Sequence, residues 1–130
     1  MWTQNILPRF NDTDALGHIN NATFLTWFEA ARRPIFELFN PGLSIKDWNL
    51  ILARVEVDYL GQTNYEDEVI IESYLEKIGN SSMVICHEVF QNKQKVCVGK
   101  AIMVHFDYEI NKSALIPDNI RSELEKHLKI

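Results

Sequence analysis

Within ten residues the chain places two aspartates, a glycine, a histidine and two asparagines: Asp12, Asp14, Gly17, His18, Asn20 and Asn21. The stretch reads "DTDALGHINN" and runs straight into the aromatic "ATFLTWFEAAR". Carboxylates, an imidazole and carboxamides at such spacing admit four kinds of chemistry. Calcium is the first. Asp12, Asp14 and Gly17 match the first, third and sixth places of an EF-hand loop, but Leu16 and Thr23 stand at the fifth and twelfth, where oxygen ligands are needed. A transition metal is the second. Asp14 and His18 offer two ligands, yet His87, His105 and His127 show no ligand spacing, so no metal is expected.

The two remaining readings share the same groups. In one, Asn20 or Asn21 caps a helix by accepting from an orphan first-turn N–H, while Asp12 and Asp14 organise the loop. In the other, the unpaired N–H groups and partial positive charge of a helix start stabilise an oxyanion. A carboxylate beside them attacks a carbonyl or activates water. Proximity to a helix start favours the charged form of a carboxylate, and burial opposes it. Neither a G-x-S-x-G elbow nor a Cys/His pairing is present, which argues against the usual serine and cysteine esterases.

The elements that must hold these groups can be read from periodicity. Residues 3–9 suggest a strand, and 11–17 a loop. Phe24, Trp27, Phe28, Ala31, Ile35 and Leu38 recur at steps of three and four, the mark of a helix with one apolar stripe. Pro34 lies inside that pattern and predicts a kink or break near Arg33, at a cost of about 3 kcal/mol if it stays interior. "NPG" at 40–42 ends the helix. From Ile51 to Leu60 the period becomes two, as in a half-buried strand, and 68–78, 82–90 and 95–108 read as three more. "PDNIRSELEKHLKI" closes with a short amphipathic helix entered at Pro117. One helix packed on consecutive antiparallel strands is an α+β arrangement.

The 130 residues suit a single domain spanning 1–130. A net charge of −5 argues against general nucleic-acid binding, which needs clustered Lys and Arg. No apolar run is long enough for a membrane span, and the first residues lack a signal-peptide layout, so a cytoplasmic protein is expected. Cys86 and Cys97 sit on two arms of a hairpin turning at Asn92-Lys93. Simple pairing sets Cys86 against Gly99 and Cys97 against Glu88, diagonal neighbours too far apart for a disulfide, so free thiols are expected.

"DTDALGHINNATFLTWFEAAR" resembles the signature of hotdog-fold thioesterases of the 4-hydroxybenzoyl-CoA thioesterase type, D-x-D-x-x-G/Q-H-V-N-N-x-x-Y-x-x-x-x-E-x-A-R, with Phe24 in place of the tyrosine. The resemblance implies a long central helix wrapped by a five-stranded antiparallel sheet, with a short C-terminal helix. It implies a homodimer or homotetramer with active sites at subunit interfaces. It also implies hydrolysis of acyl thioesters of coenzyme A or of an acyl-carrier protein, the thioester being substrate and no cofactor being required. Carried over by position, Asp14 is the catalytic carboxylate and the backbone of Gly17 to Asn21 the oxyanion site. His18 and Asn20 are nearby polar candidates, and Asp12 orders the loop. Glu29 is a rival carboxylate, but Arg32 and Arg33 stand at salt-bridge spacing from it. Arg33, Lys93, Lys95 and Lys100 are scattered cations for coenzyme A phosphates, none singled out. Two alternatives remain. A hotdog dehydratase on hydroxyacyl thioesters lacks support, since no "HFPxxP"-like segment is present. A non-catalytic acyl-CoA binding module would bind without releasing thiol.

Overall fold

The helix expected from residue 21 onward is two helices. In the structure, a computed structural model describing residues 1–129, α1 spans Thr23–Ala31 and α2 spans Arg33–Phe39. The break falls at Arg32, whose N–H is shared between the carbonyls of Phe28 and Glu29 at 3.1 Å each. Pro34 therefore sits in the first turn of α2, where its missing N–H would be unpaired in any case. The interior-proline penalty is not incurred. Phe24, Trp27, Phe28, Ala31 and Ile35 are buried as the stripe required. Past the break the phase shifts, and Phe39 rather than Leu38 takes the last buried place.

Six strands surround this helix pair: β1 (Trp2–Ile6), β2 (Leu50–Tyr59), β3 (Val69–Ile78), β4 (Ser82–Gln91), β5 (Gln94–Asp107) and the two-residue β6 (Lys112–Ser113). Five form one antiparallel path, β1-β3-β4-β5-β2, while β6 pairs with β5 and lies off it. The sheet thus exceeds the expected five strands by β6, a pairing too short to leave a periodic signal. β3, β4 and β5 form the expected meander. β2 does not pair with its successor β3 but crosses to the far side of β5. Register shifts between Leu52 and Arg54, between Leu75 and Lys77, and between Val89 and Phe90 mark bulges. Bulges bend strands, which lets a sheet curl around a helix. This is the α+β hotdog architecture.

The last bulge corrects the expected hairpin register. Asn92 and Lys93, with φ of 52° and 66°, form the two-residue turn. One extra residue in β5 then sets Cys97 against Val89 and Cys86 against Lys100. Side chains alternate across a strand, so the two thiols lie on opposite faces of the sheet and both are free.

One contact fixes how the helix sits. A Cβ built on Gly99 would lie 2.3 Å from the Phe28 ring, so this glycine is the hole into which Phe28 fits. The same ring stacks on His87, the partner of Gly99 in the ladder, at 5.0 Å and 7°. β2 departs from the half-buried strand expected of it. It is an edge strand, and Ile51, Leu52, Val55 and Tyr59 are all exposed in the single chain. The third helix, α3 (Asp118–Glu125), follows Pro117 and buries Leu124. His127 and Leu128 lie past its end, where Leu128 bridges to Leu75.

Candidate active site

The polar segment folds into a loop held by its own side chains. Asp12 is buried, and its carboxylate accepts from the Arg9 N–H at 2.8 Å. Its carbonyl accepts from the Asn20 N–H at 2.8 Å and the Thr23 hydroxyl at 3.3 Å. Asp12 therefore orders the loop, as its position suggested. Asp14 is half-buried, and its Oδ1 accepts from the N–H groups of Leu16 (2.8 Å) and His18 (3.1 Å). Gly17 has φ +80° with open space where a Cβ would be, so the reversal asks for glycine on conformational grounds alone. Ile19 is buried and donates to the Thr63 carbonyl at 2.8 Å, stitching the loop to the segment after β2.

The helix start differs from the expected cap. Ala22, not Asn20 or Asn21, occupies the N-cap position, and no side chain bonds to the first-turn amides. Asn20 acts one step earlier: its Oδ1 accepts from Ala22 N–H at 2.9 Å and its carbonyl from Thr23 N–H at 3.0 Å. A turn has replaced the cap.

These bonds divide the donors of residues 17–21. Gly17 N–H donates to the Asp14 carbonyl, His18 N–H to the Asp14 carboxylate, Ile19 N–H to Thr63 and Asn20 N–H to Asp12. Among the described residues, the amides of Asn21 and Phe24 have no acceptor.

Both residues are among those that line a cavity of about 300 Å³. Asp14, His18, Asn21, Phe24, Tyr59 and Thr63 are on its wall, whereas Gly17 and Asn20 shape the loop without lining it. Thr63 and Tyr59 carry no signal in sequence, being some 40 residues away on the end of β2 and the loop that follows. Thr63 is 2% exposed, and its Oγ1 has no hydrogen-bond partner. Tyr59 brings a phenol next to Phe24. Its ring packs edge-on against Phe24 at 5.7 Å and its hydroxyl donates to the Asn21 carbonyl at 2.8 Å. Burial, and then the Cys97 thiol, raises the phenol above its usual range, so it stays protonated at neutral pH.

Glu29 is exposed and, among the described residues, forms no ion pair, contrary to the expected salt bridge. Arg33 pairs with Glu37 at 3.1 Å instead, and Arg32 turns into the protein. Lys95 and Lys100 are engaged with Glu88 and Glu76. No group of three or more His, Cys, Asp or Glu side chains that could hold a metal occurs among the described residues. No helix there is long and apolar enough to cross a membrane.

Comparison with known proteins supplies the family. The model of the thioesterase-like superfamily matches residues 8–124. A predicted thioesterase from Bacillus stearothermophilus is 41% identical, with a TM-score of 0.96 over 98% of this chain and 96% of its own. A thioesterase from Thermus thermophilus, solved with coenzyme A and zinc, is 32% identical, with a TM-score of 0.84 over 94% and 95%. The 1,4-dihydroxy-2-naphthoyl-CoA hydrolase of Synechococcus sp. (strain CC9605) is 27% identical over 126 residues, 90% of this chain and 85% of that protein. With a match over most of its length and a hotdog sheet around its aromatic helix, this chain belongs to the thioesterase-like superfamily and is a thioester hydrolase.

Proposed function

We propose that the protein hydrolyses acyl thioesters of coenzyme A, with Asp14 as the catalytic carboxylate. The observation that carries this reading is one cavity lined by Asp14 together with Asn21 and Phe24, two residues whose backbone amides have no acceptor among the described residues. Two N–H groups hold Asp14 Oδ1, leaving Oδ2 for a water. Asp14 takes a proton from that water as it attacks the thioester carbonyl. The Asn21 and Phe24 amides receive the oxyanion, each donor being worth roughly 3–4 kcal/mol in such sites. Collapse of the intermediate expels the thiolate, a good leaving group that needs no general acid. The Thr63 hydroxyl and His18 are polar neighbours for the acyl carbonyl and the leaving sulfur.

Coenzyme A is preferred over a carrier protein as the thiol because the Thermus thioesterase was solved with coenzyme A and the Synechococcus relative is named for an acyl-CoA substrate. A homodimer is proposed through the β2 edge, whose exposed Ile51, Leu52 and Val55 would be covered.

Asp14→Asn tests the assignment. Its carboxamide oxygen still accepts from Leu16 and His18, so the loop keeps its bonds while the charge is lost. Thiol release from acyl-coenzyme A should fall by about 10²–10⁴ with an unchanged circular-dichroism spectrum. Near wild-type turnover in that folded variant would overturn the role of Asp14. Saturable acyl-CoA binding with no thiol release from the wild type would instead indicate a binding module.

A further inference from the structure

Helix α1 starts one residue later than its backbone would permit. Ala22, at the N-cap, already has helical φ and ψ of −69° and −24°, whereas N-cap residues are ordinarily extended. A helix wound back through Ala22 would make two further i→i+4 bonds, from Phe24 N–H to the Asn20 carbonyl and from Leu25 N–H to the Asn21 carbonyl. Neither is present among the described residues. The Asn20 carbonyl is taken by Thr23 N–H at 3.0 Å, and Leu25 N–H goes to the Ala22 carbonyl at 3.2 Å, both in the tighter i→i+3 pattern. The Asn21 carbonyl is taken from outside the helix, by the Tyr59 hydroxyl at 2.8 Å.

Tyr59 reaches this place from the end of β2. Its partner across the ladder is Cys97, which is buried in one core cluster with Phe24 and Phe28. The contact of its ring with Phe24 fixes where the hydroxyl lies. The Asn21–Ala22 peptide is thus held at both ends, its N–H by Asn20 Oδ1 at 2.9 Å and its carbonyl by Tyr59. The peptide before it is held at the Asn20 carbonyl. Peptide units are planar, so two held planes leave little freedom to the Asn21 backbone between them.

We propose that Tyr59 is a positioning residue for the hydrolysis: its hydroxyl keeps the Asn21 carbonyl out of the helix, and so keeps the Phe24 amide free and the Asn21 amide fixed to receive the oxyanion. This inference rests on the reading of Asp14 and these two amides as the hydrolytic site. Tyr59 touches no reacting atom and moves no proton. Without the hydroxyl, Leu25 N–H takes the Asn21 carbonyl, α1 winds back by one residue, and Phe24 N–H turns to the Asn20 carbonyl.

Tyr59→Phe removes the hydroxyl and keeps the ring against Phe24. With acyl-coenzyme A as substrate, kcat should fall by about tenfold or more while KM stays within about twofold, the signature of an interaction made only in the transition state. S-Octyl-coenzyme A, a thioether that cannot be hydrolysed, should bind wild type and variant alike. The corresponding trifluoromethyl ketone, whose hydrate mimics the tetrahedral intermediate, should bind the variant about tenfold more weakly. The pH–rate profile should keep its shape. In amide hydrogen exchange, Phe24 N–H should exchange more slowly in the variant, because it gains an acceptor, while Leu16 and His18 N–H stay as they were. Unchanged kcat, equal losses on both analogues, or an unchanged Phe24 exchange rate overturns the proposal even if Asp14→Asn abolishes turnover. Loss of the alkaline limb of the pH–rate profile overturns it too, since Tyr59 would then be a proton donor. Slowed Phe24 exchange in the variant of a protein that releases no thiol from any thioester supports the hold of Tyr59 on the helix and overturns the hydrolytic reading instead.

Discussion

Thr63 shows how much a single atom can report. Its Oγ1 is one of two buried side-chain polar atoms without a hydrogen-bond partner among the described residues, the other being Arg32 Nε. An unpaired buried hydroxyl costs about 1–3 kcal/mol, and Thr63 is among the residues that line the Asp14 cavity. Thr63→Val should therefore leave stability unchanged or raise it slightly in urea unfolding. The same change should lower kcat/KM by about threefold to tenfold, the worth of one neutral hydrogen bond. Unaltered kinetics would assign the hydroxyl no contact with substrate. Asp14, His18 and Asn21 were legible at this scale because a dense polar motif precedes an aromatic stripe. Thr63, Tyr59 and the inward turn of Arg32 were not, because each depends on what lies across the fold rather than on neighbours in the chain. Arg32 stood at good spacing for a surface salt bridge with Glu29, and only the break in the helix turned it inward.

The helix and the strand beneath it act as one unit. Phe28 can approach β5 only because position 99 lacks a side chain. Gly99→Ala forces the aromatic ring and its stack on His87 to move, and overpacking of this kind costs about 1–3 kcal/mol. Chemical denaturation should show that loss, and Phe28→Leu should cost less in the Gly99→Ala background than in the wild type. Additive losses would show that the two positions do not touch. The aromatic stripe and the Pro34 break were readable in sequence because both follow from local rules of helix geometry. The bulge that moved Cys97 from Glu88 to Val89 was not, since one extra residue in a strand leaves the alternation on either side looking regular.

For the molecule as a whole, β2 is the unfinished part. It is an edge with apolar side chains exposed along its length, and its last residue, Tyr59, lines the Asp14 cavity. A second copy pairing there would complete the sheet and enclose the site. Ile51→Lys places a charge on that edge, a substitution that blocks strand pairing. Sedimentation velocity should find the variant as monomer where the wild type is dimer, with thiol release reduced. The wild-type melting temperature should rise with protein concentration, as expected of a linked assembly. A wild type that sediments as a monomer would remove this interface.

The sequence by itself determined the local facts of this protein: a polar loop made for backbone bonding, an aromatic helix interrupted at a proline, alternating strands and a short closing helix. Each follows from interactions between residues within a few positions of one another. Tertiary structure alone decided that β2 crosses to the far edge, that Thr63 and Tyr59 join the loop of Asp14, and that Arg32 meets His87 rather than Glu29. Those outcomes come from packing between distant segments, where one helix break or one bulge changes which face a side chain occupies. The opening motif thus pointed to thioester hydrolysis, while the walls of the cavity beside it were set by the fold.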